Sequence, residues 1–299
     1  MENESIPLLD AIDMEILMHR EAHFGGNFGV MIDYYDQEGV GVMPDFEQKR
    51  IRELAHIEKE LRQNLADVIL PELAHLRVEM SKQLYQDLRE VYEQEPPNPH
   101  AVLISNLILS EEEDPQEEME ALIHCGQEIV PLLIDLISSE SFYDPLYPGY
   151  GRSPIFAAKI LGQIKDETAI PALFQALGQD NFFTDEAIIQ AIRAIGDKSK
   201  VFLIKALKHQ PYSKNNEHAA ICLMEFSEDP EIAQTCLELL KDPAVIKRES
   251  LATYLVFGCA GLEQDFDRQE FKKIMDGLNE KSELYLEMKS VCSNWNKSN

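Results

Sequence analysis

The stretch Ala157-Ala-Lys-Ile-Leu-Gly-Gln-Ile-Lys-Asp-Glu-Thr-Ala-Ile-Pro-Ala-Leu173 decides the fold. Ala157, Leu161 and Ile164 stand at i, i+4 and i+7, which is one face of an α-helix. A short polar break follows. Asp166 is placed to cap a second helix, and Pro171 falls in its first turn, where a missing N–H costs little. The same face returns at a spacing of 31 residues: Leu161, Ile192, Leu223 and Tyr254 share one register. Ile164, Ile195, Phe226 and Phe257 share a second, and Ala157, Ile188, Ala219 and Ser250 a third. Asp197, and Asp229 before Pro230, mark the breaks of the next two units, the later break carrying one extra residue. An upstream copy runs Ala121-Leu-Ile-His-Cys-Gly-Gln-Glu-Ile-Val-Pro-Leu-Leu133.

The pattern A-A-x-x-L-G-x-I-x-D-x-x-A-I-P-x-L resembles the compact HEAT repeat named after phycobiliprotein-lyase subunits. Five units can be marked, near residues 115–138, 153–178, 186–209, 217–241 and 248–278. The tetratricopeptide and ankyrin signatures are absent. One such helix pair cannot bury its apolar face alone, so the units must stack. The fold expected is all-α: a solenoid of HEAT-like helix pairs over 97–278, preceded by an N-terminal helical region over 1–96 and closed by a capping helix and tail over 279–299.

The N-terminal region carries no recognised family pattern. Helices are expected near 6–22, 27–37, 45–68 and 71–94, broken by Gly25-Gly26, by Gly39-Val-Gly41 with Pro44, and by Pro71. Pro96-Pro97 and Pro99 make a stop, after which Asn98 caps a helix over 100–109. Asn294 to Asn299 are expected to fray.

The chain of 299 residues holds 54 acidic and 27 basic side chains, a formal charge of −27, which disfavours nucleic acid and anionic membrane surfaces. Residues 1–152 carry 22 of those excess charges. The five cysteines are scattered, never in C-x-x-C spacing, and read as reduced core thiols. An acidic start and the lack of a long apolar run predict a cytoplasmic protein without a membrane span.

Glu-x-x-His occurs at Glu53–His56 and Glu72–His75, a spacing that in ferritin-like bundles serves a di-iron centre. The two helices turn back near residue 69, which leaves His56 about 15 Å from Glu72 at the helical rise, too far for one metal. His19 and His23 stand at i, i+4, but no third ligand is nominated, and the expected role is a polar helix edge beside Phe24. Deoxyhypusine hydroxylases of similar fold use His-Glu dipeptides, and no histidine here precedes Glu. HEAT-type alkylpurine glycosylases need a basic groove. Bilin-lyase subunits are not excluded, because repeat matches carry no catalytic residue. No catalytic residue, metal site or cofactor is therefore expected, and the chain reads as a binding protein sooner than as an enzyme, the enzyme question staying open.

Two features point to binding instead. Ser138 to Arg152 is an insertion between the first two units, and it carries Phe142, Tyr143, Leu146, Tyr147, Tyr150 and Arg152, the composition of recognition hot spots. Beside it lies the acidic run Glu111, Glu112, Glu113 and Asp114, which either starts a solvated helix or meets a basic partner. Folding back of the aromatics over the repeat junction is the alternative for the insertion. The leading expectation is a non-catalytic scaffold or adaptor for a protein partner. Its alternatives are an accessory or lyase-type subunit acting on a modified protein or tetrapyrrole, and a metal-binding helical protein.

Overall fold

The computed structural model describes residues 10–37, 43–179 and 182–295. Within them the chain is helical throughout, with no strand among the described residues. It forms two compact units, residues 1–160 and 161–299, the division falling inside one helix.

In the first unit, α1 (Ala11–His23), α2 (Phe28–Asp36), α3 (Gln48–Leu61), α4 (Leu65–Ile69) and α5 (Glu72–Glu90) make the N-terminal bundle. The Gly39-Val-Gly41 break and the expected start of α1 before residue 10 lie outside the described residues. The single helix expected over 45–68 is two. Arg62 turns left-handed at φ 53°, ending α3, and the Asn64 side chain accepts from the Ala66 amide to start α4. Then come α6 (Pro99–Leu109), α7 (Gln116–His124) and α8 (Val130–Ser138), and α9 (Ser153–Ile164) begins. Asn98 caps α6 through the amides of His100 and Ala101. α7 and the segment Gly126–Ser138 have the length and composition of a membrane span but bend by 111°, and no single described helix is long and apolar enough to cross one.

The bundle closes over Ile16, Leu17, Met31, Ile51 and Leu54. Arg20 lies among them with no exposure, its guanidinium bonded to Glu58, Glu21 and Asn64 at 2.5–2.6 Å and lying 4.4 Å above the Phe28 ring. A buried charge is tolerable only with such partners. His19 and His23 belong to this interior, which corrects the polar-edge expectation. His19 is 1% exposed and meets Phe46 edge-on at 5.3 Å, with His23 stacked 5.2 Å away. Burial lowers the pKa of His19 to about 4 and that of His23 to about 3, so both rings are neutral.

The second unit continues through α10 (Ile170–Gln175), α11 (Phe182–Ile195), α12 (Asp197–Leu207), α13 (Lys214–Met224), α14 (Pro230–Leu240), α15 (Pro243–Ile246), α16 (Glu249–Gly258), α17 (Asp265–Asp276) and α18 (Glu283–Trp295). The Asp229 side chain accepts from the Glu231 amide, with Pro230 at the first helical position. Asp166 accepts from Thr168 in the same way. Leu161, Ile192 and Leu223 are all fully buried, as the spacing predicts. In the fifth unit, near 248–278, the register slips by one residue. Leu251 and Leu255 fill the core, while Tyr254 is half-buried and Phe257 is 46% exposed. The extra residue in the preceding break is the cause: it shifts the next apolar face by one position.

Two glycines set how closely helices approach. A Cβ on Gly162 would lie 2.8 Å from the Ala191 Cα, and one on Gly258 would lie 2.5 Å from the Cys236 sulfur. Of the residues expected to fray, Asn294 and Trp295 instead belong to α18, and Trp295 is buried. Its indole N–H donates to the Ala260 carbonyl at 2.9 Å, and its ring meets Phe271 edge-on. Residues 296–299 lie outside the described residues.

Two expectations follow. Gly162→Ala forces a backbone contact that no side chain can relieve, so it lowers stability by roughly 1–3 kcal/mol. Hydrogen exchange should show the loosening first in α9 and α11. For the histidines, the folded pKa values lie below the ordinary 6.5. The unfolded chain therefore takes up protons first, and stability present above pH 6.5 is lost as pH falls towards about 4 and then about 3. Each ring contributes at most about 1.4 kcal/mol per pH unit in that window. Urea unfolding of a His19→Phe variant should show a shallower decline between pH 6.5 and 4 than the parent, and parallel curves would refute the assignment.

Candidate functional site

A cavity of about 730 Å³ opens in the first unit beside the C-terminal end of α1. α5 supplies Lys82, Tyr85, Gln86 and Arg89, at the i, i+3, i+4, i+7 spacing of one helical face. α2 adds Val30 and Tyr34, one turn apart. α1 ends in Ala22 and His23, and the chain then reverses through Gly25 and Gly26, both left-handed. Asn27 restarts it by accepting from the amides of Gly29 and Val30. This tight turn brings Phe24 and Tyr34 within 5.2 Å.

The last wall is Tyr150. It holds a left-handed φ of 53° between two left-handed glycines, Gly149 and Gly151. Such a backbone is costly for tyrosine, by roughly 1–3 kcal/mol, and persists only where the surroundings fix it. Here they do, because a Cβ on Gly151 would meet the Tyr143 carbonyl at 2.9 Å, so only glycine lets the loop close. Tyr150 meets the His23 ring at 5.3 Å. His23 Nδ1 lies 2.9 Å from the Tyr85 hydroxyl. Burial raises the pKa of both tyrosines, so the cluster is neutral.

The charged groups stand at the rim. Lys82 pairs with Glu79 at 3.0 Å and approaches Glu21 at 3.9 Å. Arg89 is exposed and makes no hydrogen bond or salt bridge with the described residues. Glu111, also exposed, faces the cavity from beyond the end of α6. The site thus offers stacked aromatic walls, an uncommitted guanidinium and a carboxylate.

The binding residues expected from sequence are distributed differently. Tyr150 and Glu111 meet at this cavity. Leu146 and Tyr147 are buried in the core of the bundle, and the Ser81 hydroxyl donates to the Leu146 carbonyl. Tyr143 donates to the Ile137 carbonyl at 2.7 Å, and Phe142 is half-buried. Arg152 donates to the Glu112 carbonyl at 3.1 Å, with its guanidinium 5.7 Å from the Tyr150 ring. Glu112, Glu113 and Asp114 are exposed. Lys82, Tyr85 and Arg89 escaped the sequence reading, although their spacing along α5 carried the signal. His56 is exposed, and no group of three or more metal-ligating side chains comes together among the described residues.

Comparison with known proteins places the repeats. Residues 153–223 match the family of HEAT repeats. Over 81 residues the chain is 38% identical to the bilin biosynthesis protein PecE of Mastigocladus laminosus. That match takes in 25% of this chain and 30% of the relative, so the chain spans under a third of the curated protein it resembles. Among solved structures, the complex of CpcE and CpcF of phycocyanin lyase from Nostoc sp. PCC7120 aligns with 71% of this chain and 86% of the matched one. Identity there is 19% and the TM-score 0.27, too loose a superposition to place any residue. With the spacing of 31 and the helix pairs it produces, the matched segment shows that this chain carries HEAT-like repeats, similar over 81 residues to those of a bilin biosynthesis protein.

Proposed function

We propose that this chain is a lyase-type accessory subunit that holds an open-chain tetrapyrrole in the cavity beside α1 while a protein partner is served. The observation that carries the reading is the cavity itself, whose chemistry matches that chromophore class. An open-chain tetrapyrrole presents flat conjugated rings, pyrrole N–H donors and propionate carboxylates. Phe24, Tyr34, Tyr85 and Tyr150 offer stacking walls, Glu111 can accept from ring N–H groups, and Arg89 is free to take a propionate in a two-pronged bond. The volume, about 730 Å³, suits a ligand of that size. The relationship to a bilin biosynthesis protein supports the same chromophore class. This reading displaces the non-catalytic scaffold expected from the sequence, because that expectation rested on aromatics that turn out to be partly core.

The test is titration of the purified protein with biliverdin, followed by the chromophore's absorbance and by co-elution on gel filtration. A saturable, near-equimolar red shift is expected. Arg89→Glu should weaken binding by roughly tenfold or more, since a hydrogen bond between charged groups contributes about 1.5–3 kcal/mol. The variant should melt like the parent, because Arg89 is exposed and unpaired. A spectrum unchanged at any ratio, or an Arg89→Glu variant that binds as tightly, would remove the cavity from the reading.

A further inference from the structure

The register slip in the fifth repeat has a second effect, on the surface. In the preceding repeats the position 31 residues apart holds a buried aliphatic, but in α16 it holds Tyr254, turned out of the core. Tyr254 there lines a cavity of about 420 Å³ with residues of the first helices of the two preceding repeats, α11 and α13. Ile189 and Ile221 share its apolar floor. Around them stand three carboxylates, Asp185, Glu186 and Glu225, and among the described residues no lysine or arginine lines the space.

The rim is held in place from outside. Asp185 accepts from the Gly178 amide at 2.9 Å, and Arg193, which does not line the cavity, binds Glu225 at 2.8 Å. Gly178 has φ 81°, and a Cβ on it would lie 2.9 Å from the His218 ring, so the loop and the ring fit only with glycine there. Glu186 is exposed and makes no hydrogen bond or salt bridge with the described residues. A preorganised rim with one uncommitted carboxylate over an apolar floor favours a ligand that is cationic and apolar at once. A small free cation would leave the Ile and Tyr surface uncovered, and an apolar ligand would desolvate the carboxylates without return.

We infer that this groove docks a segment of a partner protein that presents an arginine or lysine beside an apolar side chain, as one face of a basic amphipathic helix does. The base pairs with Glu186 and the free oxygen of Asp185, and the apolar neighbour covers Ile189, Ile221 and Tyr254. The inference does not depend on the tetrapyrrole reading, since the groove lies within the second unit.

The experiment uses the full chain and a fluorescein-labelled synthetic amphipathic helix with leucines on one face and arginines along its border. A second peptide carries glutamine for arginine. Anisotropy at physiological salt should show saturable binding of the arginine peptide, weakened at least about tenfold in the glutamine peptide and in Glu186→Lys, as expected for a lost charge pair beside buried apolar contact. Tyr254→Ala should speed dissociation. Glu60→Lys makes the same charge change at an exposed position of the first unit and should alter affinity by less than about twofold. Equal losses in Glu60→Lys and Glu186→Lys would mean attraction to bulk negative charge and would overturn the proposal, as would the absence of saturable binding. Hydrogen exchange of the unmodified protein gives a reading free of variants. Protection by the arginine peptide must appear in α11, α13 and α16, and protection elsewhere alone refutes the groove.

Discussion

A pair of short helices can hide its apolar face only against the next pair, and the second unit is arranged around that requirement. Contact between successive pairs must be close enough to exclude water, which is why Gly162 faces the Ala191 backbone with no room for a methyl group. The polar breaks answer the same demand. Caps from Asp166 and Asp229 satisfy amides that water would otherwise have to reach, so the turns stay short and the pairs stay in step. Where the series stops, an apolar face would remain open. Trp295 covers it, anchored by its bond to the Ala260 carbonyl and flanked by the Arg268 guanidinium at 5.2 Å.

The N-terminal bundle meets the constraint in another way. It has no repeat to lean on, so it borrows Leu146 and Tyr147 from the insertion to complete its core. The insertion is thus shared between two tasks. Its buried members tie the loop to the bundle, and the fixed loop then holds Tyr150 in a backbone state that tyrosine would not adopt alone. Strain at Tyr150 is the local cost of building a cavity wall from a connection.

Most of the solenoid was legible in the sequence because its signal is repetition. Leu161, Ile192 and Leu223 are predicted by spacing and buried in fact. The same arithmetic failed at Tyr254, since a one-residue insertion in a break shifts every later position, and spacing counted from the first copy cannot feel it. The bundle was less legible for a different reason. Arg20, His19 and His23 look like a polar helix edge by composition, yet the partners that make their burial tolerable, Glu58, Asn64 and Tyr85, are distant in sequence. The cavity was half legible. Tyr150 stood out as an aromatic in a loop, while Lys82, Tyr85 and Arg89 looked like an ordinary exposed face of α5 until α1 and α2 were set beside it.

The cysteines of the stack show what close packing does to reactivity. Burial pushes the thiols of Cys222 and Cys236 up to about 12, and that of Cys259 well above its ordinary value. At neutral pH these sulfurs are protonated and walled in, so peroxide, maleimides and other soft electrophiles find no thiolate there. Their chemistry is switched on only when neighbouring repeats part. The second unit thereby carries three internal labels whose rate of modification measures how often the stack breathes, without any foreign probe being attached.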